Sequence, residues 1–258
     1  MILEEFEPGP AVIEPHFDFE ENTAIEEVCA TIIMPFSGSL FESVQQMKGV
    51  RYGGFKSNIN GQQPWYIYER DGIKVAVMLA QLGAPALIGT LEELQAIGFK
   101  QFILFGTCGV LDGNLETNKL IVPTSSIRDE GISYHYAPAS DEIGYPADHL
   151  ARFGEMLDKH GIPYTMTKAW TTDAFFRETP AKVKRRKEAG ATVVDMEWAS
   201  VAAWAQFRQK EAYHFFYTSD YVDPEGGWDM REGHDEENLL GFFEIALTLA
   251  KELEKQKS

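Results

Sequence analysis

Gln101-Phe102-Ile103-Leu104-Phe105-Gly106-Thr107-Cys108-Gly109 sets a short apolar strand directly against a glycine-bounded turn. The apolar run does not alternate with polar residues. That is the pattern of a strand covered on both faces, as in a parallel sheet flanked by helices. The flanking segments agree. Upstream, Pro85 begins a predicted helix that runs to Ile97, with Gly98 at its C′ position. Further upstream, Cys29–Met34 is a buried strand ended by Pro35, and Ser37-Gly38-Ser39 turns into a helix reaching about Met47. Trp65–Glu69 and Lys74–Leu79 flank Arg70-Asp71-Gly72, a hairpin signal. Between these parts, residues 51–63 are Gly/Asn-rich and read as a loop.

Downstream, strands are predicted at Leu120–Val122, Tyr164–Trp170, Thr192–Val194 and Tyr213–Thr218. Helices are predicted at Ala147–His160, Pro180–Ala189, Glu197–Arg208 and Glu236–Leu253. Strands that alternate with helices give an α/β class with a mainly parallel, buried sheet. No internal repeat or low-complexity linker divides it. Residues 28–258 read as one domain, preceded by an acidic arm at 1–27 that docks through Phe17 and Phe19.

The chain of 258 residues carries a formal charge of -17. A duplex binder neutralises phosphates with clustered Lys and Arg, so nucleic acid and anionic membrane are not expected partners. Cys29 and Cys108 form neither a zinc spacing nor a disulfide framework, and no metal site is expected. The first residues lack a basic n-region and an apolar h-region, and no apolar run approaches the ~18 residues of a membrane span. The expectation is a cytoplasmic protein.

In open α/β sheets ligands bind beyond the carboxyl ends of strands. Four predicted strand ends carry unusual residues: Ser37-Gly38-Ser39, Gly106-Thr107-Cys108-Gly109, Thr171-Thr172-Asp173 and Ser219-Asp220. Asp195-Met196-Glu197 joins a strand to a helix. The Gly106 turn lacks the spacing of a dinucleotide fingerprint or a P-loop. Its backbone N–H groups, with the Thr107 hydroxyl, suit an anion; a plain tight turn is the alternative. Glu197 either caps a helix or accepts hydrogen bonds from two sugar hydroxyls beside Met196. Asp220 is either a turn cap or a partly buried proton donor. Phe175, Phe176 and Trp170 can stack on a base or sugar, although core packing is the commoner fate of aromatics. His135 reads as structural. The basic run at 182–187 reads as a solvated helix face.

Taken in order, the motifs resemble the nucleoside phosphorylase superfamily, which holds uridine phosphorylase, the hexameric bacterial purine nucleoside phosphorylases and the adenosylhomocysteine-type nucleosidases. The matching pieces are Ile32–Ser39; Phe102–Gly109; Ile121–Pro123 with Arg128-Asp129-Glu130-Gly131; Thr172-Asp173-Ala174-Phe175; Val194-Asp195-Met196-Glu197; and Tyr217-Thr218-Ser219-Asp220. The resemblance implies a three-layer α/β/α sandwich around a mixed, barrel-like sheet. It implies a homo-oligomer, dimer or hexamer, with sites near subunit contacts. The implied reaction cleaves an N-glycosidic bond with phosphate, giving free base and sugar 1-phosphate without a resident cofactor. Catalysis there is mostly positioning and charge stabilisation.

Carried over, Glu197 holds the ribose hydroxyls, Met196 packs on the sugar, and Phe175 with Trp170 lines the base. Gly38, Gly106 and Thr107 face the phosphate. Asp220 matches the acid of purine-cleaving members, which tilts the expectation toward a purine. The chain also departs from the pattern. Phe36 and Leu40 stand where phosphorylases place a glycine and an arginine, and Leu104 stands where they place another arginine. An arginine fork grips phosphate bidentately and a leucine does not. Either Arg128, Arg177 or Arg51 takes that role, or water is the nucleophile as in nucleosidases, whose activating glutamate is absent from Phe36–Leu40. A catalytically silent nucleoside-binding protein is the third alternative.

The charge is unevenly placed. Residues 1–27 contribute -9 and residues 223–238 contribute -6, which leaves a nearly neutral body. If that second loop closes over the pocket, Arg231 is its sole cation and a candidate clamp.

Overall fold

The computed structural model describes residues 2–4, 6–15, 23–223, 225, 227–231 and 236–255. The expected docking residues Phe17 and Phe19 lie outside these. Twelve strands are described: β1 (Thr23–Ile25), β2 (Thr31–Pro35), β3 (Val50–Asn58), β4 (Gly61–Arg70), β5 (Ile73–Met78), β6 (Gln101–Val110), β7 (Leu120–Asp129), β8 (Glu142–Gly144), β9 (Thr165–Thr172), β10 (Ala191–Asp195), β11 (Glu211–Asp223) and β12 (Gly227–Asp229). The α-helices are α1 (Gly38–Gln45), α2 (Ala84–Ile97), α3 (Ser133–Tyr136), α4 (Ala147–Asp158), α5 (Pro180–Glu188), α6 (Trp198–Arg208) and α7 (Glu236–Lys255).

The strands form one mixed sheet in the order β1-β3-β4-β5-β2-β6-β10-β9-β7-β11-β12, with β8 on β7. A further pairing of β6 with β11 closes β6, β10, β9, β7 and β11 into a five-stranded barrel. β6 runs parallel to β2 and β11 and antiparallel to β10. The arrangement is the barrel-like mixed sheet implied by the resemblance.

Alternate residues of a strand face opposite sides, and β6 uses both. Phe102 and Leu104 pack under α2 and α6 with Leu87, Leu91, Val201 and Trp204. Ile103 and Phe105 pack under α1, α4 and α7 with Val44, Phe153, Phe243 and Leu247. Helices therefore cover both faces of the sheet. α7 buries Leu239, Phe242, Phe243, Ala246, Leu247, Ala250 and Leu253, an i, i+3, i+4, i+7 stripe. α6 is buried continuously from Trp198 to Ala205, so its small alanines let it lie between the sheet and α2.

Three local expectations change. Residues 51–63 are strand: β3 and β4 pair along their length, with a register shift between Tyr52 and Gly54. The glycines permit close packing. A Cβ on Gly53 would lie 2.6 Å from the Trp65 ring, and one on Gly54 would lie 2.3 Å from the Ala24 carbonyl oxygen. The expected arm also ends early. Thr23–Ile25 pairs with β3, and Glu27 is gripped by Arg51 and Lys74. Ahead of it, Phe6 meets Phe207 edge-on and Glu14 pairs with Arg208 at 3.5 Å. Finally, β6 and β11 outrun their apolar cores, because ring closure gives each a partner on both edges. Among the described residues no helix is long and apolar enough to cross a membrane.

Candidate functional site

The segment read as a turn, Gly106–Gly109, continues β6. It pairs with β11 through Cys108 and with β10 at Gly109 and Val110. Its backbone is committed to the sheet, so the expected free turn around an anion does not form. What Gly106 supplies is space. A Cβ there would sit 2.8 Å from Cβ of Phe36, which lies against the strand. Asp220 is likewise inside β11 and not at its end. The register against β6 shifts between Thr218 and Tyr221. Such irregularities re-aim side chains.

These strands border a cavity of about 690 Å³. Gly106, Thr107, Phe175, Met196, Glu197 and Asp220, all expected at the site, line it together. Phe176, also read as able to stack on a base or sugar, lines it too, and Phe36, Glu178, His214, Phe216, Trp228 and Met230 line it without having been expected there. Phe175 and Phe176 lie with ring centroids 3.9 Å apart, on the 3-10 turn Phe175–Arg177. β12 folds back on β11 and brings Trp228 to the cavity, where its Nε1 donates to Asp220 Oδ2 at 2.7 Å. The acidic loop therefore does reach the cavity. No local signal marks Glu178 or His214: one follows Arg177 at a helix start, and the other sits in an aromatic strand.

At the β10–α6 junction the two carboxylates divide the work. Asp195 caps α6, accepting the N–H of Glu197 at 2.7 Å and of Trp198 at 2.5 Å, plus the Thr171 hydroxyl at 2.7 Å. Burial nonetheless raises its carboxyl to about 6. With the cap supplied, Glu197 turns into the cavity and accepts the Gly83 N–H at 2.6 Å. Burial first, and the Asp195 charge second, push Glu197 up to about 8, against the pull of the Gly83 N–H. Glu178 rises to about 7 through burial and the Asp220 charge, with Lys182 opposing. His214 is 2 % exposed, and neither ring nitrogen has a hydrogen-bond partner among the described residues. Burial lowers it to about 3, so it is a neutral imidazole, stacked on Phe36.

Six candidate residues stand elsewhere. Trp170 is fully buried in a core with Leu111 and Val183; its Nε1 donates to Asp129 Oδ2 at 3.0 Å. Lys182 and Arg186 lie over its ring and pair with Asp129, so part of the run at 182–187 is a clamp rather than a solvated face. Arg128 is buried, donating to Ser133 Oγ, Ser140 Oγ and the carbonyls of Ala137 and Pro138, above the Tyr134 ring. It ties β7 to α3 and to the segment leading to β8. Arg177 is exposed outside the cavity lining. Gly38 opens α1 and also lies outside it. Arg51 pairs with Glu27 and Glu69 on the β3–β4 ribbon. Arg231 donates to the Leu115 carbonyl at 2.7 Å and stacks on Tyr221. Leu40 and Leu104 are buried in the two cores. Among the described residues, every charged side chain lining the cavity is a carboxylate: Glu178, Asp195, Glu197 and Asp220.

A barrel whose strand ends and irregularities collect a Met-Glu pair, an aspartate and stacked aromatics defines a class of α/β protein. A family model described as the phosphorylase superfamily matches residues 32–253, and the chain belongs to that superfamily. It is 27% identical over 140 residues to a guanosine phosphorylase of Halorubrum lacusprofundi, a match covering 53% of this chain and 56% of that protein. It is 25% identical over 158 residues to a DeoD-type purine nucleoside phosphorylase of Bacillus cytotoxicus, covering 58% and 65%. The chain thus spans less than two thirds of the length of these curated relatives. Its fold is similar to a purine nucleoside phosphorylase of Toxoplasma gondii, with TM-score 0.74, 20% identity, and coverage of 90% and 94%. It is also similar to a uridine phosphorylase of Vibrio fischeri, with TM-score 0.70, 18% identity, and coverage of 89% and 93%.

Proposed function

We propose that the chain is a nucleoside phosphorylase-like pentosyltransferase that cleaves the N-glycosidic bond of a purine nucleoside with phosphate. The observation that carries this reading is the shared cavity of Glu197, Met196 and Asp220, with Phe175, Phe176 and Trp228 on its wall. Glu197 exchanges the Gly83 N–H for sugar hydroxyls, and Met196 packs on the sugar. The aromatic rings stack on the base. Asp220, oriented by Trp228 Nε1, faces the base nitrogens. As the bond to C1′ breaks, charge builds on the sugar as an oxocarbenium ion, and carboxylates nearby stabilise it. Thr107 is the side chain on β6 placed to meet the phosphate. The same reading carries a homo-oligomer in the cytoplasm, without a resident cofactor.

Hydrolysis is the second reading, and the carboxylate-only lining favours it. A phosphate dianion gains most from Arg or Lys, and none lines the cavity among the described residues. Water carries no charge, and His214 offers it a neutral imidazole without a partner among the described residues.

Incubation with a nucleoside panel, with and without phosphate, tests both. Phosphate-dependent release of base with sugar 1-phosphate supports the first reading. Release without phosphate replaces it with the second. Binding without turnover leaves only a nucleoside-binding protein.

A further inference from the structure

Glu178 enters the cavity from the end of the 3-10 turn, where its own N–H donates to the Phe175 carbonyl at 3.1 Å. Asp220 enters from β11. The two carboxyl groups are treated differently by their surroundings. Asp220 Oδ2 accepts the Trp228 indole N–H at 2.7 Å. No described residue donates a hydrogen bond to the carboxyl of Glu178. A poorly solvated carboxyl without a donor, beside a second acidic group, holds its proton more tightly than usual.

The groups facing Glu178 reinforce this division. Asp220 on β11 opposes its ionisation. Lys182 on α5 favours it, but the Lys182 ammonium is held on Asp129 at 2.8 Å. Asp195 and Glu197 add carboxylates to the same wall. Burial first and the Asp220 charge second, with Lys182 opposing, raise Glu178 to about 7. His214 provides an independent sign that the cavity takes a ligand. It is a buried imidazole that lines the cavity without a partner among the described residues.

We propose that Glu178 is the general acid for the departing base, with Asp220, held by Trp228, as the partner that orients the base. This rests on the nucleoside-cleaving reading and adds the proton's source to it. The C1′–N bond breaks and its electron pair stays with the base. The Glu178 carboxyl proton passes to a base nitrogen, and an oxygen of phosphate bonds to C1′; where water bonds there instead, its excess proton passes to solvent. Glu178 is left as a carboxylate and takes up a proton from solvent before the next turnover.

The test compares Glu178→Gln with the unaltered full chain on two substrates, a purine nucleoside and its N7-methylated counterpart. The methylated base is already cationic and leaves without a proton. Glu178→Gln is expected to lose about 100-fold or more in kcat/KM on the ordinary nucleoside, the usual worth of a general acid, and to stay within about threefold on the methylated one. The unaltered chain is expected to slow above about pH 7 on the ordinary nucleoside only. Activity on the methylated substrate also shows that the variant is folded. Equal loss on both substrates, or no loss on either, overturns the assignment of Glu178. If the unaltered chain cleaves neither substrate, the nucleoside-cleaving reading falls, and this proposal with it.

Discussion

Glu197 Oε1 and the backbone N–H of Gly83, 114 positions apart in the chain, meet at 2.6 Å in the cavity wall. Gly83 is the N-cap residue of α2, so a helix start is joined to the helix that Asp195 caps. Backbone hydrogen bonds do not offset the burial of the carboxylate and the nearby Asp195 charge, so its proton affinity is raised.

That rise fixes a sign for stability. A carboxyl whose affinity is higher in the folded state contributes fully below about 4.5, and the contribution is lost as pH rises toward about 8. Glu197→Gln removes the loss. Thermal denaturation at pH 5 and pH 8 is expected to show the variant losing less stability over that interval, by a few kcal/mol at most. Parallel curves would contradict the described environment. In the same experiment series, Glu197→Ala is expected to lower kcat/KM by about 100-fold or more while leaving the circular dichroism unchanged.

His214 has the opposite sign. Its ring is held neutral by burial, so folding is favoured above about 6.5, and that contribution is lost as pH falls toward 3. Phenylalanine keeps much of the volume and the stacking on Phe36 while removing both nitrogens, which have no partner among the described residues. His214→Phe is expected to gain about 2 kcal/mol relative to the parent at pH 5 and less at pH 8. A denaturant titration at both values measures it. A gain that is the same at both would show that protonation is not its source.

Gly106 and Phe36 are coupled through contact. Gly106→Ala would force its new methyl against Cβ of Phe36, with an expected cost of about 1–3 kcal/mol. Phe36→Gly removes the obstructing side chain. A double-mutant cycle is expected to return a favourable coupling of about 1 kcal/mol. Additive single costs would mean that the two residues do not touch.

Arg128→Met tests the structural assignment of that arginine. The variant strands the acceptors at Ser133, Ala137, Pro138 and Ser140, and about 3 kcal/mol of stability should be lost. If turnover proves phosphate-dependent, KM for phosphate is expected to hold. A large rise in KM at unchanged stability would return Arg128 to the phosphate site.

Much of this molecule is written locally. Apolar runs, Pro85, Gly98 and the Asp71-Gly72 turn locate the strands, α2 and the β4–β5 hairpin, because they act on neighbours a few residues away. The Met196-Glu197 pair was legible for the same reason: it sits where a strand hands over to a helix. Closure of β6 onto β11 is a long-range event. It turned the expected Gly106 turn into strand and placed Asp220 at a register shift. It also drew Glu178, His214 and Trp228 into one cavity. Trp170 and Arg128 were misread because residue type announces chemistry, whereas position decides who shares it. Trp170 met Asp129, and Arg128 met a ring of carbonyls and hydroxyls. Sequence alone therefore determined the order of elements and the place of the Met196-Glu197 pair at the strand-to-helix junction. Tertiary structure decided the electrostatics of the cavity, because burial and the company of other carboxylates exist only once the barrel is closed.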